Sequence, residues 1–375
     1  MKVAILGTRG FPKVQGGVEK HCEELSVHLV KLGCDVTVFT RKPYVSADIR
    51  EYQGVKLVAL PIFRQKSLEA PAHTFLGVFR ARRLKPDILH IQAIGPALLT
   101  PLARLLGMKV VMTSHGANYE HLKWGRFARL VFRLGERLGV TFANAGITIS
   151  QTVADNIERK YKKRFAVIPN GVRLPRIAAT ENALRQFGLE KGKYILSVGR
   201  YVPEKGFHDL IRGFHLFRSM DSHPQSKDYK LVIIGEADHP DHYSRSLKDM
   251  SATNPDIVLT GFLTGEPLHE LYSHAGLFVL ASYYEGMSIV LLEALSYGLS
   301  CIATDIPGNR SVGMLPEDRF FSVGDPESLA RKISDFVHNP LSEEEKTIQI
   351  RKISEHNAWE KIAKKTSAVY KKVAG

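Results

Sequence analysis

Two cations and two carboxylates in the second half of the chain have the types and spacing needed to bind a phosphorylated sugar. Arg200 and Lys205 lie in the segment GRYVPEKG, and Glu285 and Glu293 lie in SYYEGMSIVLLEALSYG. An arginine fork and a lysine ammonium can hold a diphosphate from two sides. Carboxylates accept pairs of hydroxyl hydrogen bonds, so Glu293 suits a ribose diol and Glu285 suits a sugar ring.

The residues that follow Glu285 offer a site for a phosphate. If a helix begins near Met287, the amides of Gly286, Met287 and Ser288 point into the space before its first turn. Glu293 would then lie about two turns into the helix and face the same ligand as Glu285. Taken alone, the loop residues Arg200 and Lys205 are also typical of ordinary surface charges.

A glycine-rich segment near the start, GTRGFPKVQGGVEKH, is a second candidate ligand-binding loop. Gly16 and Gly17 stand before a helix predicted to open near Val18 and Glu19, where bare backbone can approach a ligand and amides can point at an anion. The spacing is not that of the G-x-G-x-x-G dinucleotide fingerprint, so nicotinamide binding is a poor interpretation. Glycines at such a turn can also serve the turn alone.

Short apolar runs alternate with longer amphipathic stretches, which is typical of parallel strands joined by crossover helices. The predicted strands are residues 3–7, 36–40, 55–60, 87–91, 109–113, 146–149 and 166–169 in the first half, and 194–198, 230–235, 257–260, 277–281 and 300–303 in the second. The pattern predicts an α/β fold of two doubly wound domains, with residues 172–180 as the linker. Ligands bind at the carboxyl ends of such strands, which is where the candidate loops fall.

The chain of 375 residues is long enough for two or three domains, and with 44% hydrophobic and 24% charged residues its composition is that of a globular protein. Cys22, Cys34 and Cys301 have no C-x-x-C spacing, so neither a disulfide framework nor a cysteine zinc site is expected. We expect no signal peptide and no transmembrane helix. The expected location is the cytoplasm, either free or peripheral on the inner face of the cytoplasmic membrane.

Charge is divided unequally along the chain. Lys and Arg number 52 and Asp and Glu number 38, a formal net charge of +14. Residues 1–180 hold 29 basic and 12 acidic residues, whereas residues 181–375 hold 23 and 26. The basic half predicts an anionic partner, which could be nucleic acid, a lipid surface or a phosphorylated substrate. A solvated basic surface with no partner is the alternative.

The segment KWGRFARLVFRLGERLG, residues 123–139, concentrates this charge on a predicted helix. One side carries Arg126, Arg129, Arg133 and Arg137, and the other carries Trp124, Phe127, Val131, Leu134 and Leu138. This pattern is typical of an amphipathic helix at an anionic membrane. It is also typical of an ordinary helix with its apolar stripe in the core and a solvated basic face.

Taken together, these motifs resemble those of the retaining glycosyltransferases of family 4, which have the GT-B fold of two Rossmann-like domains facing each other across a cleft. The resemblance covers nearly the whole chain and rests on GTRGFP, GGVE, SHGANYE, IPNGV, GRYVPEKG and EGMSIVLLE. It implies an acceptor-binding domain over residues 1–175 and a donor-binding domain over residues 176–355. Residues 356–375 are expected to form a helix that crosses back to the first domain.

The resemblance also implies roles for individual residues. Arg200 and Lys205 would hold the donor diphosphate, Glu293 the ribose and Glu285 the donor sugar, with Gly17 near the diphosphate and His115 beside the reaction centre. The expected catalytic residues are His115, Arg200, Lys205 and Glu285, and the expected donor-binding residues are Gly16, Gly17, Arg200, Lys205, Glu285, Gly286, Met287, Ser288 and Glu293. In one departure, Ser311 follows the IPGN turn where the family often carries an acidic residue, so sugar contacts in that loop are left unassigned.

The expected reaction is a retaining transfer of a hexose from a nucleoside-diphosphate sugar, with UDP and GDP both open, to an anionic, lipid-linked or polysaccharide acceptor in cell-surface glycan assembly. No enzymic nucleophile stands out, so family precedent favours front-face attack, in which catalysis is positioning plus charge stabilisation. Neither a cofactor nor a metal is expected, and the segment DHPDH at residues 238–242 is a poor candidate for a metal site.

Two other functions remain open from the sequence. One is a sugar-nucleotide epimerase on the same fold. The other is a non-enzymatic basic protein that binds membranes or nucleic acid. No zinc-finger spacing or aromatic RNA-binding motif is found, and the acidic second half has no use in that role, so nucleic acid is not an expected partner.

Overall fold

The computed structural model describes residues 1–62, 69–116, 125–220 and 224–375. The chain forms two compact units: unit 1 comprises Met1–Gly171 and Trp359–Gly375, and unit 2 comprises Val172–Ala358. The boundaries between the two units lie a few residues from the expected domain boundaries at positions 175 and 355. Val172 N donates to Asn357 O over 2.7 Å, and Val172 pairs with Ala358 in a parallel bridge. This bridge joins the two ends of unit 2 and therefore sets where unit 1 stops and resumes.

Unit 1 is built on a mostly parallel sheet. Its strands are β1 Lys2–Leu6, β2 Asp35–Arg41, β3 Glu51–Tyr52, β4 Val55–Leu60, β5 Ile88–Gln92, β6 Val110–Ser114, β7 Ala145–Thr148 and β8 Ala166–Val167. Over the described ranges their order is β3-β4-β2-β1-β5-β6-β7-β8, and β3 and β4 are antiparallel. The strand order reverses at β1, the point at which ligands bind in sheets of this kind.

Helices cover both faces of this sheet. The first of them are α1 Gly17–Lys31, α2 Glu69–Leu84, α3 Thr100–Leu105, α4 Arg126–Phe142 and α5 Gln151–Tyr161, with a 3-10 turn at Pro96–Leu99. Alternate residues of β1 enter different cores: Val3 and Ile5 pack with α1, whereas Ala4 and Leu6 pack with residues of α2 to α5. This alternation follows from the two-residue period of a strand and puts α2 to α5 on the face opposite α1.

Unit 2 repeats the architecture with a parallel sheet. Its strands are β9 Tyr194–Val198, β10 Lys230–Ile234, β11 Ile257–Gly261, β12 Leu277–Leu280, β13 Cys301–Thr304 and β14 Phe320–Phe321, in the order β11-β10-β9-β12-β13-β14. Its helices are α6 Asn182–Gln186, α7 Phe207–Met220, α8 His242–Ala252, α9 Glu266–Ser273, α10 Ile289–Ser296, α11 Pro307–Arg310, α12 Pro326–His338 and α13 Glu343–Asn357, with 3-10 turns at Pro203–Lys205, Pro224–Asp228 and Glu317–Arg319. β9 lies at the reversal of strand order, between β10 and β12.

The last helix, α14 Trp359–Ala374, returns to unit 1. It places Trp359, Ile362 and Tyr370 in the core beneath α1. Gly171 allows this packing, because a Cβ there would overlap the indole ring of Trp359. With α14 included, unit 1 holds 32 basic and 13 acidic residues, and unit 2 holds 20 and 25. The charge asymmetry is therefore sharper between the units than between the sequence halves.

The predicted strands lie within a residue or two of those observed, and the short strands β3 and β14 were missed. Helix α10 begins at Ile289 rather than near Met287, because the Ser288 hydroxyl accepts from Leu291 N over 3.4 Å and caps the helix. Glu293 is consequently just over one turn into α10, not two. Lys123 and Trp124 of the predicted amphipathic helix lie outside the described residues. None of the described helices is both long and apolar enough to cross a bilayer.

Candidate active site

The loop GRYVPEKG leaves β9 and packs against the end of its neighbour β12. Gly206 follows the 3-10 turn with a φ of +64°, and a Cβ at this position would overlap the carbonyl oxygen of Ala281. Tyr283 N donates to Glu204 O over 2.8 Å, which links the two loops by their backbones. A left-handed glycine is therefore what lets the two strand ends carry their loops side by side.

Lys205 and Glu285 meet at this junction. Lys205 Nζ lies 2.5 Å from Glu285 Oε1, and the side chains are 18% and 13% exposed. Ser282 Oγ donates to the same carboxylate oxygen over 2.8 Å. The backbone of Glu285 is in turn covered by Gly308 of α11, where a Cβ would overlap the Glu285 carbonyl oxygen. The carboxylate is thus held by a cation and a hydroxyl on a tightly packed loop.

Arg200 takes its partner from the other neighbouring strand. Its Nη1 lies 3.0 Å from Oδ2 of Asp238, which follows β10, and the two side chains are 33% and 22% exposed. The loop after β9 therefore presents two cations, each balanced by a carboxylate from an adjacent strand end. Anionic oxygens are the natural partners of both cations, so a diphosphate could replace or join the carboxylates.

Glu293 lies on α10 in a different hydrogen bond. Tyr272 OH donates to Glu293 Oε2 over 3.2 Å, and the Tyr272 ring stacks on Tyr297 at 5.1 Å between centroids. Burial, together with the nearby Glu293 charge, raises the pKa of Tyr272, so the phenol keeps its proton and acts as a donor. Gly286, Met287 and Ser288 directly precede α10, as the sequence predicts. No motif in the sequence pointed to Tyr272.

In unit 1 the glycine-rich loop is organised by an ion pair. Arg9 Nε lies 3.1 Å from Glu19 Oε1, and Arg9 N donates to the same oxygen over 3.2 Å. Gly16 has a φ of +145° and fits here because a Cβ would overlap the Glu19 carboxylate. At Gly17, by contrast, a Cβ would meet no atom within 4 Å. The start of α1 is therefore open at Gly17, whereas Gly16 serves the loop's own structure.

His115 follows β6, and its Nε2 lies 2.8 Å from Gln92 Oε1. Its ring meets His21 edge-on at 4.9 Å between centroids. Desolvation, reinforced by His21 and His90, lowers the pKa of His115 well below its ordinary value. His115 is consequently a neutral imidazole at pH 7. Residues 117–120 of the SHGANYE motif lie outside the described residues.

The segment DHPDH is used structurally. Asp238 pairs with Arg200, and Asp241 caps α8 by accepting from Ser244 N over 2.9 Å. In the part of the chain that the structure describes, no group of three or more His, Cys, Asp or Glu residues could hold a metal ion. Metal independence stays a prediction.

Among the described residues, Lys205 and Glu285 are the predicted donor-site residues that contact each other. Arg200 and Glu293 are held by Asp238 and Tyr272 instead. The partners that sequence reasoning missed are Arg9, Glu19, Gln92, Asp238, Tyr272 and Ser282. Gln92, Asp238 and Tyr272 lie 23, 38 and 21 positions from the residues they contact, so local spacing could not have pointed to them.

Comparison with known proteins covers most of the chain. The model of Glycosyltransferase Family 4 matches residues 15–176, and that of Glycosyl transferases group 1 matches residues 180–354. The chain is 24% identical to the putative teichuronic acid biosynthesis glycosyltransferase TuaC of Bacillus subtilis, over 84% of this chain and 83% of that protein.

Two solved structures share the fold over nearly their whole length. Sucrose-phosphate synthase from Thermosynechococcus elongatus has a TM-score of 0.81 at 21% identity, covering 99% of this chain and 98% of that one. Anabaena HepE in complex with UDP and glucose has a TM-score of 0.77 at 18% identity, covering 98% and 99%. With consecutive family models matching both units and this fold, the chain belongs to the family 4 glycosyltransferases of the GT-B fold.

Proposed function

We propose that the protein is a retaining hexosyltransferase that takes its sugar from a nucleoside-diphosphate donor held by unit 2. The Lys205–Glu285 contact at the ends of β9 and β12 is the observation that supports this most directly. In a nucleotide sugar the phosphate next to the sugar and the sugar hydroxyls are a few ångströms apart. An ammonium for the phosphate beside a carboxylate for the hydroxyls matches that arrangement.

In this proposal the donor rearranges the ion pairs of the free enzyme. The diphosphate binds Lys205 and Arg200, which releases the Glu285 carboxylate to accept from hydroxyls of the sugar. Amides of Gly286, Met287 and Ser288, at the start of α10, add hydrogen bonds to the phosphates. Glu293 accepts from the ribose hydroxyls while Tyr272 orients it.

The chemical step requires little from the protein beyond positioning and charge stabilisation. The acceptor hydroxyl attacks the anomeric carbon on the face from which the diphosphate leaves. The bond from that carbon to the phosphate oxygen breaks with its electron pair, and the β-phosphate takes the proton of the hydroxyl. His115 is proposed to lie beside this centre. No metal and no cofactor enter the scheme.

We propose a UDP sugar as the first donor to examine, because HepE was solved with UDP and glucose; GDP remains the second. For the acceptor we propose an anionic or lipid-linked glycan in cell-surface polysaccharide assembly. TuaC is named for teichuronic acid biosynthesis, and the excess of basic residues in unit 1 suits an anionic acceptor.

We further propose that a cytoplasmic enzyme of this kind binds the membrane peripherally through α4. Phe127, Leu130 and Leu134 are 80%, 62% and 45% exposed, and Arg133 and Arg137 are exposed beside them. The apolar side of this helix is therefore exposed and does not lie in the core of unit 1. Its buried residues are Gly135, Glu136, Gly139 and Val140. Exposed apolar residues mixed with arginines suit the interface of an anionic bilayer.

A groove beside these residues adds to this proposal. It has a volume of about 430 Å³ and is lined by Leu130, Arg133, Leu134, Glu136, Arg137, Lys160 and Tyr161. Helix α2, on the same face of the sheet, also exposes Phe75 and Phe79, at 50% and 42%. Cations around a shallow apolar groove fit the phosphate and upper acyl chain of an anionic lipid.

The donor proposal is tested by thermal shift with UDP, GDP, ADP, dTDP and their sugars. A ligand at 100 times its Kd should stabilise the protein by about 2.7 kcal/mol. One base should raise the melting temperature selectively. Glu293→Ala and Arg200→Ala should weaken that rise, whereas the matched variants Glu344→Ala and Arg331→Ala, on exposed helix faces of unit 2, should not. No shift with any nucleotide, together with salt-sensitive binding to vesicles or nucleic acid, would overturn the transferase proposal.

Retention of configuration, metal independence and the epimerase alternative are each tested by a separate assay. The anomeric configuration of the product, read by NMR, tests retention, and activity in the presence of a chelator tests metal independence. Conversion of the donor into an isomer without any acceptor would favour the epimerase instead.

A further inference from the structure

A chain of polar contacts runs through the interior of unit 1 from α14 to His115. Tyr370 OH lies 2.6 Å from His90 Nδ1. Gln92 Nε2 lies 3.3 Å from both ring nitrogens of His90, and Gln92 Oε1 lies 2.8 Å from His115 Nε2. Tyr370, His90 and Gln92 are fully buried. Polar side chains in such a place are costly unless each finds a partner, and here they partner one another.

The sheet and α14 bring these groups together. His90 and Gln92 are two positions apart on β5 and so point to the same face. Thr113 pairs with Gln92 across β5 and β6, and His115 lies just beyond the end of β6. Tyr370 comes from α14, which belongs to the same unit although 280 positions separate it from His90.

The donors and acceptors in the chain are set by chemistry. The Gln92 amide oxygen only accepts, so His115 Nε2 must carry the proton and donate. Burial raises the pKa of Tyr370, so its phenol keeps its proton and donates to His90 Nδ1. His90 is then protonated on Nε2, which donates to Thr113 Oγ1 over 2.7 Å. Both ring nitrogens of His90 are thereby engaged, and the Gln92 amide packs against the ring without a hydrogen bond to it. Burial lowers the pKa of His90 to about 3, so this ring also stays neutral.

A second contact reaches His115 from the other end of α14. Trp359 meets the His21 ring edge-on at 5.5 Å between centroids, and His21 in turn meets His115. His21 is itself anchored, because its Nδ1 lies 3.0 Å from Asn170 Oδ1. Helix α14 is thus connected to His115 through two sets of contacts, one that begins at Trp359 and one that begins at Tyr370.

We propose that Tyr370, His90 and Gln92 are positioning residues that hold His115 in its Nε2-protonated tautomer and leave Nδ1 as the atom that accepts a hydrogen bond from the substrate. The assignment of the tautomer rests on the geometry of unit 1 alone. The role of Nδ1 in catalysis rests on the proposed function. These two parts can therefore be tested separately.

The tautomer is tested without any substrate, by long-range proton–nitrogen NMR of the histidine rings at pH 7.5. In the wild type, His115 should show a protonated Nε2 and an unprotonated Nδ1. Gln92→Leu removes the acceptor, so His115 should become a mixture of tautomers. Tyr370→Phe removes one oxygen, and the signals of His90 and then of His115 should change. An unchanged His115 spectrum in both variants would overturn the proposal.

A control variant is needed to show that Tyr370→Phe acts through the position of His115 and not merely through the loss of a buried hydroxyl. Tyr194 is fully buried in unit 2, where its hydroxyl donates to Leu271 O over 2.7 Å. Tyr194→Phe should cost stability as Tyr370→Phe does but leave the His115 spectrum unchanged. If Gln92→Leu does not fold, Tyr370→Phe, which deletes a single atom, decides the outcome.

The catalytic part is tested with the donor identified by thermal shift. Gln92→Leu and Tyr370→Phe should lower kcat at least about 10-fold through misplacement of His115, while KM for the donor stays within twofold. Equal kcat values in wild type and variants, with the tautomer altered, would overturn the role of Nδ1. If the wild type uses no nucleotide sugar, the proposed function fails while the NMR result still decides the tautomer.

Discussion

Lys205 Nζ and Glu285 Oε1 lie 2.5 Å apart although 80 positions separate the two residues in the sequence. The loops that carry them follow β9 and β12, which are adjacent in the sheet. Both side chains are largely shielded from solvent. Removal of either one therefore leaves the charge of the other without its oppositely charged partner.

Replacing Lys205 by alanine should lower kcat by about 100- to 1,000-fold, because the departing diphosphate loses a preorganised positive charge. The measurement is steady-state transfer with the donor found by thermal shift. Lys193→Ala is the control, since Lys193 is a partly exposed lysine of unit 2 that also pairs with a glutamate, Glu190. A Lys205→Ala enzyme with more than a tenth of wild-type activity would contradict the proposed role.

Gly206→Ala should destabilise unit 2 and weaken donor binding together. The φ of +64° costs about 1 kcal/mol for alanine, and the new Cβ would overlap the Ala281 carbonyl oxygen. Gly192→Ala is the matched control, because Gly192 has a φ of +77° and a Cβ there meets nothing within 4 Å. Urea unfolding should show a clearly larger loss for Gly206→Ala. Equal losses would mean that the loop moves to accommodate the methyl group.

Unit 1 should lose stability as the pH falls below about 6.5. Burial lowers the pKa of His21 to about 4 and that of His90 to about 3. Between those values and 6.5 the unfolded chain binds protons that the folded unit does not, so the free energy of unfolding rises with pH in this window. Relative to pH 7.5, His21 and His90 alone should remove about 2 to 3 kcal/mol at pH 5.5. His73 and His115, whose pKa values burial also lowers, should add to this loss.

The measurement is urea unfolding followed by tryptophan fluorescence, since both tryptophans, Trp124 and Trp359, belong to unit 1. His90→Gln should reduce the difference between pH 7.5 and pH 5.5 by about a quarter, since burial also lowers the pKa of His21, His73 and His115. His356→Gln, at an exposed histidine of α13, should not. A pH dependence unaffected by His90→Gln would contradict the prediction.

Binding to vesicles should depend on the exposed residues of α4. Leu130→Ser with Phe127→Ser should reduce flotation with phosphatidylglycerol-rich vesicles at least about 10-fold, because burial of two large apolar side chains is lost. Arg133→Gln with Arg137→Gln should reduce it mainly at low salt. Met220→Ser, at a residue of unit 2 that is 59% exposed, is the control. Equal binding by wild type and variants, or no preference for anionic lipid, would contradict the proposal.

The strands, and the sheet edges that carry the candidate site, were predictable because both depend on local sequence. A parallel strand buried on both faces is a continuous apolar run, and the loops that follow such runs hold the ligand-binding residues. This reasoning placed Lys205 and Glu285 at one sheet edge. It missed β3 and β14, which have two residues each. β8 is equally short but was found because Ala166 and Val167 continue into the apolar Ile168.

Contacts between distant segments were not predictable in the same way. Nothing near Asp238 or Tyr370 in the sequence indicates Arg200 or His90 as its partner. The alternative that places the apolar stripe of α4 in the core is wrong for a physical reason: the packed side of the helix is marked by Gly135 and Gly139, not by its large apolar residues. At both glycines a Cβ would overlap a neighbouring segment, so close helix packing and not hydrophobic content decides which side is buried.

The interruption of unit 1 by unit 2 affects the order in which the protein can form during translation. Val172–Ala358 is one continuous stretch, so the whole of unit 2 has left the ribosome before Trp359, Ile362 and Tyr370 have been made. The core of unit 1 needs those residues, and domains acquire structure as units once their chain is available. Unit 2 should therefore mature first, while the amino-terminal part of unit 1 waits with part of its apolar interior exposed and has the greater need of a chaperone.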